Sequence, residues 1–186
     1  MRIHLEVREP DPVELRGLDL LVVPVASDRR PLRGVGGACD WELGGELSRT
    51  LVDERITGAR GDRLLVHTEG RLGPTFVLML GVGRIELFGP GELVPFFRAM
   101  GRVLDQAGVR QLGLRLAEFE GPGCERNTVA TALLAGLLAG YSGDDLELWL
   151  LDGVANATDL TLEVARAAER FEQLKIEARH SDHPQV

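Results

Sequence analysis

Residues 34–47 read GVGGACDWELGGEL. Glycines crowd the start, an acidic residue and a tryptophan follow, and a second glycine pair comes next. The stretch closely follows residues 18–26, LDLLVVPVA, a continuous apolar run rich in β-branched residues. Such a run marks a strand buried on both faces of a sheet. Two readings of the glycines are open. In one, Gly34, Gly36 and Gly37 form an anion site, because N–H groups converge at a helix N-terminus and glycines let a phosphate approach. In the other they make a tight strand-to-helix turn, and Gly44 and Gly45 let the helix sit close to the sheet. The spacing matches neither GxGxxG nor the GK[ST] of a P-loop.

Working outward, residues 2–7 alternate polar and apolar, as a half-exposed strand does. Residues 38–51 read as one helix, with Leu43, Leu47 and Leu51 at steps of four. Residues 63–68 and 75–80 are two strands joined by a short polar loop. Residues 92–107 form an amphipathic helix whose stripe includes Leu93, Phe97, Met100 and Leu104. Pro95 falls in its first turn, where a missing N–H costs little, and Gly108 is its stop. Residues 111–117 alternate as a strand. Residues 128–140, TVATALLAGLLAG, are apolar nearly all round, so this helix is sandwiched between layers. Residues 146–151 are a buried strand. Residues 158–178 read as a long helix with Leu160, Val164, Ala168, Phe171 and Leu174 on one stripe, and residues 179–186 as a polar tail.

The order β-β-α-β-β-α-β-α-β-α predicts a three-layer α/β/α fold with a mixed, mostly parallel sheet. The expected organisation is one domain over residues 1–157, then the helix of residues 158–178, then the tail. A length of 186 residues suits that. The net charge of −8 disfavours nucleic-acid and anionic-membrane partners, since both require clustered cations. No apolar run approaches the roughly 20 residues of a membrane span, and the first residues lack a signal-type apolar core. The expectation is a cytoplasmic protein with reduced thiols. Cys39 and Cys124 stand far apart, which argues against a thiolate zinc site.

A second glycine loop, EGPGCE at residues 120–125, links a strand to the sandwiched helix. With Gly121 and Gly123 it would flank the same crevice as Gly34–Gly37, outside the carboxyl ends of the strands. The run LGVGR, residues 80–84, supplies GxG after a strand but has Glu86 where a third glycine would stand. His180 and His183 fall in the polar tail, where a frayed end is favoured over a metal site. His4 and His67 sit on strands as lone surface or edge histidines. No Ser-His-Asp or HExxH pattern is present in sequence order.

These motifs, taken in order, resemble the N-terminal domain of the leucyl (cytosol) aminopeptidase family. Asp40, Gly44, Gly45 and Leu47 stand at the positions of its D-x-x-x-G-G-x-L pattern. Gly81-Val82-Gly83-Arg84 is similar to its G-L-G-K. Gly136, Gly140 and Tyr141 match its E-G-L-L-L-G-x-Y with the glutamate lost. The resemblance spans roughly residues 18–151 and implies a macro-domain-like fold. It also implies that peptidase chemistry and its two metals belong to a separate domain, whose N-T-D-A-E-G-R-L run has no counterpart here. A non-catalytic module without cofactor follows, acting through a protein partner or self-association. True macro domains imply the alternative, an ADP-ribose-type nucleotide between Gly34–Gly37 and Gly121–Gly123, with Asp11 near the adenine. A third reading is an accessory subunit of a metallo-aminopeptidase on another chain.

Overall fold

The computed structural model describes residues 1–121 and 123–179. Its strands are β1 (Arg2–Arg8), β2 (Leu20–Ala26), β3 (Arg63–His67), β4 (Phe76–Gly83), β5 (Gln111–Leu114), β6 (Asp145–Leu151) and β7 (Lys175–Ala178). They form one sheet in the order β3-β4-β2-β5-β6-β1-β7. Among the described strands only β3 and β4 pair antiparallel, as the short loop between them requires. The helices are α1 (Gly34–Glu42), α2 (Glu46–Val52), α3 (Pro90–Ala107), α4 (Arg126–Gly140) and α5 (Ala157–Ala168).

Alternation along the strands sorts the core into two layers. Leu20 and Val22 of β2, with Leu78 and Leu80 of β4, face α3, α4 and α5. Leu21, Val23 and Val25, with Val77 and Met79, face α1 and α2. Both faces of these central strands are therefore covered, which is why they read as continuous apolar runs. β1 lies farther out. Its Ile3, Leu5 and Val7 enter the first layer, while His4, Glu6 and Arg8 stay half-exposed on the other face.

Helix α4 is buried against the sheet beside α3 and α5, as its all-round apolarity predicts. Its approach to α3 depends on small residues. A Cβ at Gly136 would lie 2.8 Å from the Arg98 backbone nitrogen, and one at Gly140 would strike the Arg98 carbonyl oxygen.

Three expectations are corrected. The helix of residues 38–51 is two helices, broken at Gly44 and Gly45, whose φ of 64° and 81° no α-helix contains. Gly34, Gly36 and Gly37 lie inside α1 and not in a loop before it. The helix of residues 158–178 ends at Ala168, and the chain turns back to add β7 to the free edge of β1. Unpaired backbone groups on β1 supply the reason. The Lys175 N–H donates to the Met1 carbonyl at 3.1 Å, and the Arg179 N–H to the Leu5 carbonyl at 2.8 Å. The C-terminal segment is thus part of the sheet. Of the expected tail, residues 180–186 lie outside the described residues, and His180 and His183 with them.

Candidate functional site

β2 pairs with β5 only at Leu20↔Leu112 and Leu21↔Gly113, but stays with β4 to its end. The sheet therefore opens beside the last residues of β2. In open α/β sheets such a gap at the carboxyl ends of strands is where ligands sit. A cavity of about 190 Å³ lies there, with Ala26, Arg29, Arg33, Gly34, Val82 and Glu118 among its walls. Pockets for drug-sized ligands run about 300–1,000 Å³, so this one is small.

Glu118 decides the character of the crevice. It ends a tight helical turn, Leu116–Glu118, directly after β5. Its Oε1 accepts the Val35 N–H at 2.8 Å, at the first turn of α1. A Cβ on Gly34, whose φ is 57°, would collide with the same oxygen. The N-terminal N–H groups of a helix attract anions. Here the protein's own carboxylate takes that place. Burial raises the Glu118 carboxyl above its ordinary range, against the opposing pull of the Val35 N–H and of Arg115. No local pattern announces this contact, because 83 residues separate its partners.

Of the residues expected to frame a nucleotide, only Gly34 lines the cavity. Gly36 packs on β2, where a Cβ would come within 2.6 Å of Val23 Cγ1. A Cβ on Gly37 would lie 2.9 Å from the Leu32 carbonyl oxygen. Gly121 and Gly123 close a turn of their own, in which the Cys124 N–H donates to the Gly121 carbonyl at 2.8 Å. Gly123 approaches Pro90 at the start of α3. Asp11 lies in a separate groove with Pro12, Ala38 and Trp41, and accepts the Val13 N–H at 3.0 Å in an Asx-type turn.

The family-motif residues have mechanical roles. Asp40 accepts the Ser48 N–H at 2.8 Å, and the Ser48 hydroxyl donates to its other oxygen. It therefore caps α2 from α1, across the Gly44–Gly45 turn, while Leu47 is fully buried. Gly81 lets the loop at Gly58 and Ala59 cross β4, since a Cβ would strike the Ala59 carbonyl oxygen. The Gly83 N–H donates to the Gly58 carbonyl at 2.9 Å, and the Gly83 carbonyl accepts the Ser27 N–H at 2.8 Å. The Tyr141 hydroxyl lies 3.3 Å and 3.2 Å from the carbonyl oxygens of Val109 and Asp145, and its half-burial raises its pKa.

Among the described residues, reactive groups are not assembled into a centre. Cys39 is buried, which with the nearby Glu118 charge pushes its thiol up to about 12. Among the described residues no cluster of three His, Cys, Asp or Glu is placed to hold a metal ion. His4 faces Glu177 at 3.2 Å, and His67 packs edge-on against Phe76. No described helix is long and apolar enough to cross a membrane.

A model of the cytosol aminopeptidase family, N-terminal domain, matches residues 22–146. A probable cytosol aminopeptidase of Nitrosomonas europaea is 28% identical over 131 residues, 69% of this chain and 26% of that protein. One from Alkaliphilus metalliredigens is 32% identical over 76 residues, 41% of this chain and 15% of that protein. The chain thus spans only 15–26% of the length of these relatives. Among solved structures, a mutant of tomato leucine aminopeptidase superposes with a TM-score of 0.62 at 17% identity, over 89% of this chain and 35% of that one. A Trypanosoma brucei macrodomain in complex with ADP-ribose gives 0.63 at 19% identity, over 89% and 69%. At such identities the likeness shows the fold, which is macrodomain-like.

Proposed function

The chain belongs to the cytosol aminopeptidase family, as its N-terminal domain, and on that premise we propose that it works through protein contacts. It is an interaction, assembly or regulatory module that performs no peptide hydrolysis itself. Its crevice is not a seat for an ADP-ribose-type nucleotide.

One observation carries this reading: Glu118 on the Val35 N–H. A phosphate entering the crevice would compete for the donor that Glu118 already holds. It would also meet a carboxylate at close range, and like charges in a half-buried site repel strongly. The macrodomain crystallised with ADP-ribose shares the fold, but fold likeness does not carry a ligand with it. Support for a contact role lies on the surface. Trp41, Val52 and Leu87 expose 83%, 80% and 69% of their area, and Trp41, the largest of them, lines a groove with Asp11, Pro12, Ala38 and Glu42.

Calorimetry with ADP-ribose at about 1 mM tests the crevice, with no saturable heat expected. A leucine anilide with manganese or zinc tests the chemistry, and no turnover above buffer is expected. Saturable heat, or turnover that survives purification, overturns the reading.

A further inference from the structure

We propose that the groove between the β1–β2 loop and α1 docks an arginine-bearing segment of a partner protein, with Trp41 as its stacking platform. This rests on the chain being an interaction module and names the surface and the partner's chemistry.

The groove measures about 440 Å³, with Pro10, Asp11, Pro12, Ala38, Trp41 and Glu42 among its lining residues. Ala38, Trp41 and Glu42 stand at i, i+3 and i+4, so one face of α1 forms a wall. Two prolines stiffen the opposite wall, which lowers the ordering cost of binding. Trp41 is 83% exposed, and tryptophan is the residue type most enriched at binding hot spots.

The charges around it select the partner. Asp11 and Glu42 are exposed, and neither has an ion-pair partner among the described residues. The Val13 N–H holds the Asp11 carboxylate in a fixed direction. An indole face beside carboxylates suits a cation that is also planar. Guanidinium stacks on aromatic rings and binds carboxylates through two parallel bonds, whereas ammonium is a compact, strongly hydrated point charge that can do neither. The molecule already makes this contact once. Trp149 carries the Arg8 guanidinium 4.8 Å from its ring centroid. Trp41 has no such cation among the described residues. With a net charge of −8, a second copy is repelled overall, so a partner basic at the docking segment is favoured.

The test titrates wild-type protein with an acetylated, amidated heptapeptide of alternating glycine and arginine, read by calorimetry. A matched glutamate peptide is the control. The arginine peptide should bind and weaken as salt rises, and the glutamate peptide should not bind. Trp41→Ala should weaken binding about tenfold, Glu42→Gln and Asp11→Asn about threefold each, and Trp41→Phe should retain most of it. Trp41→Ala removes an exposed side chain, so an unchanged melting temperature certifies its fold. Equal binding by wild type and Trp41→Ala overturns the proposal, as does no binding at about 1 mM peptide. Trp41-dependent self-association in ultracentrifugation also overturns it, in favour of a second copy. None of these results concerns ADP-ribose, whose binding would overturn the module reading separately.

Discussion

The Val35 backbone N–H donates to Glu118 Oε1 across 2.8 Å, joining the start of α1 to the turn after β5. The carboxyl that accepts it is raised above its reference value of 4.5, mainly by burial. The folded state then holds the proton more tightly than the unfolded state. Glu118 therefore contributes stability that is fully present below about pH 4.5 and lost as pH rises through the folded value. Glu118→Gln keeps an acceptor and does not titrate. The melting temperature of wild type minus that of Glu118→Gln should fall as pH rises above about 4.5 and level off once the raised folded-state value is passed. A difference that climbs over this range would refute burial as the dominant cause.

Asp40 caps α2 through Ser48. Asp40→Ala should cost about 1 kcal/mol, the usual worth of such a cap, and lower the melting temperature by about 2–4 °C. Asp40→Asn, which keeps one acceptor, should lose less. Thermal melts of the two variants decide it. Equal losses would mean that the charge, not the hydrogen bond, matters.

Gly81 and Gly140 are held by close backbone approach. Gly81→Ala and Gly140→Ala should each destabilise by about 1–3 kcal/mol in urea titrations, as overpacking does. Gly121→Ala is the control, because a Cβ there meets nothing within 4 Å. If Gly140→Ala melts with wild type, α3 and α4 are not in the contact described.

Cys39 and Cys124 are both buried, and burial raises both thiols, Cys39 to about 12. The thiolate is the reactive form. Neither should be modified by a disulfide reagent at pH 8 in minutes, and both should react once the chain is unfolded in guanidinium. Rapid labelling of native protein would contradict the burial of these two residues.

The division between sequence and tertiary structure follows the range of the forces involved. Residues 18–26 announced a central strand because burial on two faces leaves no place for polar side chains, and β2 is covered on both. Residues 92–107 announced α3 because one helical period suffices to mark its buried stripe. Residues 169–178 misled, since Phe171 and Leu174 continue a helical spacing by chance while a four-residue edge strand has almost no pattern of its own. What made that segment β7 was the unpaired edge of β1, at the far end of the chain. The glycines of residues 34–47 were visible at once, but their meaning was not. Whether a helix N-terminus is an anion site depends on what already occupies it. Glu118 arrives there from 83 residues away, by a contact that only the folded chain makes.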